Sequence, residues 1–85
     1  MNDSRKIVVF GANSFSGQDF VDLMLDDPAN EVIGISRSPL RGPAFIRHLR
    51  RADQSRFRYF ALDMNSDIDR ILELLDAEQP QAIVN

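Results

Sequence analysis

The residues whose types and spacing best suit chemistry form the segment from Gly11 to Gly17, which reads Gly-Ala-Asn-Ser-Phe-Ser-Gly. An apolar run precedes it and an amphipathic run follows it, so a strand, a turn and a helix are predicted. Such a turn offers backbone N–H groups and the positive end of a helix dipole to an anion. The pattern predicts a dinucleotide phosphate site formed by Gly11, Asn13, Ser14, Phe15, Ser16 and Gly17. The alternative is an ordinary strand-to-helix turn that binds nothing.

The end of the second apolar run carries Ser36, Arg37 and Ser38 about 20 positions after the glycines, where NAD-binding chains usually have an acidic residue. A carboxylate there would bond the ribose 2′-hydroxyl and repel a 2′-phosphate. A serine hydroxyl and a guanidinium would instead bind the phosphate. The residues therefore favour NADP(H) over NAD(H). The alternative is that Arg37 is solvated and Ser36 only ends a strand.

A basic cluster follows, made of Arg41, Arg47, His48, Arg50 and Arg51. One interpretation is a wall beside the adenosine phosphate, for which Arg41 is the best placed. For Arg47, Arg50 and Arg51 the pattern favours a solvated helix face. The single histidine lies among arginines without a cysteine or a second histidine, which argues against a metal site.

Periodicity predicts the elements that must position these residues. Strands are expected at Lys6–Phe10, Glu31–Ser36, Phe57–Leu62 and Ala82–Val84. Helices are expected at Ser16–Leu25, with Phe20, Leu23 and Met24 facing the core, at Ala44–Ala52, and at Ser66–Ala77. Ser66 and Asp69 have the spacing of a capping box. Asp26 and Asp27 are interpreted as a helix end, and Tyr59 as a packing residue of the third strand.

The alternation of strands and helices predicts an α/β fold with a parallel sheet and helices on both faces. Right-handed crossovers with the usual doubly wound arrangement give the strand order 3-2-1-4. A dinucleotide fold of this kind needs a second half, so we expect either a fragment or a sheet completed by another chain. The fourth strand is then an open apolar edge that recruits a partner strand.

Composition narrows the functional classes. The 85 residues suffice for one domain, and the formal net charge of -3 does not support nucleic-acid binding. There is no cysteine for disulfides or thiolate metal sites. No signal peptide is evident, and no apolar run reaches the ~18 residues of a membrane helix. A cytoplasmic protein is the expectation.

Three segments resemble the extended short-chain dehydrogenase/reductase family, and more narrowly its nucleotide-sugar epimerases and 4,6-dehydratases. They are Gly-Ala-Asn-Ser-Phe-Ser-Gly, Glu-Val-Ile-Gly-Ile-Ser-Arg-Ser and Phe-Arg-Tyr-Phe-Ala-Leu-Asp-Met-Asn. The resemblance implies that residues 1–85 are the N-terminal half of an NAD(P)-binding Rossmann domain. The family's glycine turn has a threonine where Phe10 stands and a middle glycine where Ser14 stands. A serine can donate its own hydrogen bond to a phosphate.

The resemblance also assigns roles after the third strand. It implies that Asp63 bonds the adenine amino group and that the backbone N–H of Met64 bonds the ring. The alternative is that Asp63 is a turn or capping residue. The family's catalytic Ser/Thr and Tyr-x-x-x-Lys cannot be placed, because Asp63 lies four residues after the single tyrosine, Tyr59. We assign no catalytic residue.

The function implied is the cofactor-binding portion of an NADP(H)-dependent nucleotide-sugar 4,6-dehydratase or epimerase. Such enzymes act by transient hydride transfer at the sugar C4, bind a nucleotide sugar and are often homodimers. By this interpretation the parent protein is an enzyme and the 85-residue chain alone is inactive. A non-catalytic NAD(P)-binding sensor and an inactive truncated fragment are the alternatives.

Overall fold

The computed structural model describes residues 4–42 and 46–85. Its strands are β1 (Arg5–Phe10), β2 (Asn30–Ser36), β3 (Phe57–Ala61) and β4 (Ala82–Val84). Its helices are α1 (Phe15–Leu25), the short 3-10 helix η1 (Arg47–Arg50) and α2 (Ile68–Glu78). The first two residues of the predicted helix Ala44–Ala52 lie outside the described residues. The remainder contains one 3-10 turn rather than an α-helix.

The sheet has the order β3-β2-β1-β4 with all neighbours parallel, which confirms the predicted strand order 3-2-1-4. In the register, Phe10 pairs with Ile35 and Ser36 pairs with Ala61. The carboxyl ends of β1, β2 and β3 therefore meet at one edge of the sheet. This edge is where the candidate site residues that follow each strand come together.

Alternate residues of the central strands feed two apolar clusters, because successive side chains of a strand point to opposite faces. Ile7 and Val9 pack with Val21 and Leu25 of α1 on one face. On the other face, Val8 of β1, Ile33 and Ile35 of β2 and Leu62 pack with Ile71 of α2. Helices therefore cover both faces of the sheet, and the fold agrees with the N-terminal half of a Rossmann fold.

The inward face of α1 differs from the prediction at one position. Phe20 and Met24 pack against the core as expected, but the buried residues of this helix are Gln18, Val21 and Leu25. Leu23 is 59% exposed. Each residue advances about 100° around a helix, so Leu23 lies about 200° from Val21 and faces solvent.

The predicted capping box at the start of α2 is wrong. The helix begins at Ile68 and its N-cap is Asp67, not Ser66. The Asp67 carboxylate accepts a hydrogen bond from the backbone N–H of Asp63 at 2.8 Å, and the Asp67 N–H donates to the Asp63 carbonyl at 2.7 Å. These two hydrogen bonds close the turn after β3. The N-cap of α2 therefore lies one residue later than the Ser66 spacing predicted.

Arg51 is not the solvated residue that the basic pattern favoured. Its guanidinium donates to the carboxylates of Asp22 and Asp26 at 2.8 and 2.7 Å and to the Asp22 carbonyl at 2.9 Å. The contact fastens the end of η1 to α1. Long-range partners of this kind are not visible in sequence spacing, because 29 residues separate Arg51 from Asp22.

His48, which belongs to η1, is fully buried, and among the described residues neither ring nitrogen has a hydrogen-bond partner. Its ring centroid lies 4.5 Å from that of Phe57. Burial lowers the pKa of His48, Arg51 lowers it further, and Asp22 opposes the shift. The imidazole is therefore neutral in the folded chain near pH 7.

We expect His48→Leu to leave the free energy of unfolding equal or up to about 1 kcal/mol higher at pH 7, because it removes unpaired buried polar atoms. A lowered folded-state pKa means that the unfolded chain takes up the proton first. Wild-type stability should therefore fall as the pH drops below the ordinary value of 6.5. His48 is the only histidine, so the variant should lose this slope between about pH 7 and pH 5. Urea unfolding at both pH values checks this, and an unchanged slope in the variant would contradict it.

Candidate functional site

A cavity of ≈ 430 Å³ opens at the carboxyl ends of β1, β2 and β3. Ligands of open α/β sheets bind at this edge, outside the strand ends. Among the predicted site residues, those that line it are Gly11, Ser14, Ser36, Arg37, Ser38, Asp63 and Met64. The lining residues that the sequence analysis did not assign to the site are Phe10, Ile35, Leu62, Asn65 and Asn85. Each of these residues lies at or next to a strand end or beside a predicted site residue. That position in the sequence could have been used to predict it.

The glycine turn depends on both of its glycines. Gly11 adopts a φ of 76°, in the left-handed region that side chains rarely occupy, and its N–H donates to the Ile35 carbonyl at 2.8 Å. A Cβ on Gly17 would lie 2.0 Å from the Gly11 carbonyl oxygen. The first turn of α1 thus packs directly on the backbone of the preceding turn. A cradle of this closeness suits the approach of a dinucleotide phosphate.

Ser14 is the N-cap of α1. Its hydroxyl accepts a hydrogen bond from the Gly17 N–H at 3.0 Å and donates to the Gly11 carbonyl at 2.8 Å. Its hydroxyl hydrogen is therefore directed to the turn itself rather than to a ligand. The N–H groups of Phe15 and Ser16, the first two of the helix, have no intrahelical acceptor by geometry. They are the backbone donors that this helix end offers to an anion.

A smaller hollow of ≈ 210 Å³ adjoins the cavity and shares Ser14 with it. Asn13, Phe15, Gln18 and Arg41 form the rest of its wall. Phe15 is 88% exposed, and Arg41 is likewise exposed. Arg41 thus lines this hollow, whereas Arg37 lines the cavity.

The end of β2 is fixed to the glycine turn. The Ser36 hydroxyl accepts a hydrogen bond from the backbone N–H of Asn13 at 3.1 Å. The Tyr59 hydroxyl donates to the Ser38 carbonyl, and the Tyr59 ring packs against the cluster on the α1 face. Burial raises the pKa of Tyr59, while hydrogen bonds to Ser36 and Ser38 oppose the shift. Tyr59 is therefore a packing residue, as predicted, whose hydroxyl also braces the loop after β2.

The side chain of Asp63 serves the turn after β3. It accepts a hydrogen bond from the Asn65 N–H at 2.8 Å, as turn aspartates do. Met64 beside it is 51% exposed at the cavity. The observed hydrogen bond agrees with the alternative that Asp63 is a turn residue. Its contact with adenine stays a prediction.

Electrostatically, the wall of the cavity is mixed. Arg37 is exposed where β2 ends, and Asp63, which follows β3, lines the same cavity. Within residues 4–42 and 46–85, no group of three or more His, Asp or Glu side chains is placed to hold a metal ion. None of the helices in these two ranges has the length and apolar character that crossing a membrane requires.

No protein-family model and no curated protein sequence matches this chain. Solved structures do match. The fold superposes on dTDP-glucose 4,6-dehydratase from Bacillus anthracis in complex with NAD with a TM-score of 0.77 at 18% identity, over 96% of this chain and 26% of that one. At this identity the likeness concerns the fold alone.

Two epimerases are also similar. UDP-glucuronic acid 4-epimerase from Bacillus cereus in complex with NAD is 31% identical with a TM-score of 0.57, over 80% of this chain and 23% of that one. UDP-N-acetylglucosamine 4-epimerase from Methanobrevibacter ruminantium is 25% identical with a TM-score of 0.56, over 82% of this chain and 21% of that one. The chain thus spans about a quarter of the length of these structures. The structural resemblance to nucleotide-sugar dehydratases and epimerases is confirmed.

Proposed function

We propose that this chain, similar in structure to one part of nucleotide-sugar 4,6-dehydratases and 4-epimerases, is the cofactor-binding portion of such an enzyme and prefers NADP(H). The observation that carries the proposal is the cavity between the glycine turn and the end of β2, where Ser36 and Arg37 replace a carboxylate. The Bacillus epimerase and dehydratase structures contain NAD. The proposed preference for NADP(H), which carries an additional 2′-phosphate, is based on this chain's own residues.

The residues fit the cofactor in three ways. Gly17 packs so closely on Gly11 that the first turn of α1 lies directly against the glycine turn, an arrangement that suits a bound phosphate. The first N–H groups of α1 supply donors for the pyrophosphate. Arg37 supplies a charged donor for the 2′-phosphate, to which guanidinium binds strongly.

When bound, the nicotinamide would accept a hydride from the sugar C4 and return it. The residues of this chain bind and orient the cofactor, and we assign none of them to the proton transfers. A nucleotide-sugar substrate, a homodimer and a cytoplasmic location are part of the proposal on the ground of the resemblance. A non-catalytic sensor would share the cofactor site and differ in lacking turnover.

Arg37→Ala tests the cofactor preference. We expect the wild-type chain to bind NADPH more tightly than NADH. Loss of a charged hydrogen bond should weaken NADPH about tenfold or more, while NADH affinity stays unchanged. Isothermal titration calorimetry at fixed salt measures both. Arg70→Ala removes the same charge from the exposed face of α2 and should alter neither affinity. Equal or tighter binding of NADH by the wild type would overturn the preference.

A further inference from the structure

One side chain in the glycine turn makes more contacts with the loop after β2 than with the turn itself. The Asn13 amide nitrogen lies 2.9 Å from the Ser38 hydroxyl, 2.8 Å from the Pro39 carbonyl and 3.3 Å from the Tyr59 hydroxyl. Its carbonyl oxygen accepts from the Arg41 N–H at 3.4 Å. An amide has two hydrogens to donate, so the two shorter contacts use them and the third is shared.

These contacts join parts of the chain that are far apart in sequence. Asn13 follows β1, its loop partners follow β2, and Tyr59 belongs to β3, which is 46 residues away. Asn13 is half-buried, so its bonds are partly shielded from competing water. The side chain therefore links the turn after β1 and the loop after β2 to a residue of β3.

These contacts restrict the backbone on both sides of Arg37. The residue before it, Ser36, is held by the Asn13 backbone N–H, and the residue after it, Ser38, is held by the Asn13 side chain and by Tyr59. The backbone of Arg37 is thus anchored on both sides while its side chain is exposed. A loop already ordered in its binding conformation avoids the entropic cost of ordering when a ligand arrives.

We infer that Asn13 is a positioning residue that holds the loop from Ser36 to Arg41 in shape before a cofactor binds, and so sets the preference between the two dinucleotides. The part about cofactor preference rests on the proposed function. The part about the loop rests on the contacts alone. An aspartate would keep the acceptor but lose both donors, and a leucine of similar size would lose all of these side-chain bonds.

The experiment compares Asn13→Leu and Tyr59→Phe with the wild-type chain by amide hydrogen exchange without ligand, followed by titration with NADPH and NADH. We expect Asn13→Leu to speed exchange of the Arg41 amide, whose N–H the Asn13 side chain accepts, about fivefold or more, as loss of a hydrogen bond implies. The ratio of NADPH to NADH affinity should fall by a similar factor. Tyr59→Phe keeps the packed ring and should shift both readouts less, in the same direction. Asn65→Leu, at the cavity but outside this network, should leave loop exchange unchanged.

The outcomes distinguish the inference about Asn13 from the proposed function. Unchanged loop exchange in Asn13→Leu, or equal acceleration in the core strands, overturns the inference. Faster loop exchange with a wild-type chain that binds neither dinucleotide supports the positioning of the loop and rejects the proposed function. A wild-type preference for NADPH that survives in Asn13→Leu rejects the inference and supports the proposed function.

Discussion

Replacing Gly17 with alanine is expected to lower the free energy of unfolding by about 3 kcal/mol, the upper part of the range for overpacking. The new Cβ would lie 2.0 Å from the Gly11 carbonyl oxygen and 2.8 Å from its carbonyl carbon. Both are backbone atoms of a turn whose first residue already has a φ of 76°, so neither can move cheaply. Alanine favours helix by at most about 1 kcal/mol over glycine, and the clash therefore decides the sign.

Gly42→Ala is the matched control. Apart from its chain neighbours, no heavy atom of the described residues would lie within 4 Å of a Cβ at Gly42, and its φ lies outside the left-handed region. Its effect should stay within about 0.5 kcal/mol, as for most surface substitutions. Urea unfolding of both variants gives the comparison. A Gly17→Ala variant as stable as Gly42→Ala would show that α1 does not pack on the turn as the structure places it.

The contact of Gly17 with Gly11 also shows why the fold and the glycine turn could be predicted from the sequence. Strands β1 and β2 are apolar runs bounded by turn residues, and Gly17 sits where a helix must approach a strand turn closely. These features are local, so spacing alone located them to within one residue. The parallel order then followed from the alternation of elements and the handedness of crossovers.

What the sequence could not show depends on contacts between distant segments. Nothing near Asn13 indicates that its amide bonds Ser38 and Pro39. Arg51 looked like its neighbouring arginines, and only the fold brings it to Asp22. Ser14 differs, because its capping contact with Gly17 is local and could have been predicted. The glycine fingerprint instead led to the prediction that Ser14 binds a phosphate. Residue type and spacing therefore predicted which residues line the cavity better than they predicted the hydrogen bonds of each side chain.

Ser36→Asp is expected to invert the cofactor preference. A carboxylate at the end of β2 can still accept the Asn13 N–H that the hydroxyl now accepts at 3.1 Å, so the loop keeps this anchor. It would repel the 2′-phosphate by about 3 kcal/mol at the effective dielectric of a protein surface, or roughly 100-fold in NADPH affinity. It would also accept a hydrogen bond from the ribose 2′-hydroxyl, which should tighten NADH about fivefold.

Ser36→Thr keeps the hydroxyl and favours a strand, so its preference for NADPH should match the wild type. Titrations at two salt concentrations add a second criterion, because screening should reduce the NADPH penalty of Ser36→Asp at high salt and leave the NADH gain nearly unchanged. Equal weakening of both dinucleotides would mean that Ser36 acts through the loop and not on the phosphate. No change in either would place the adenosine ribose away from the end of β2 and remove the basis for the NADP(H) preference.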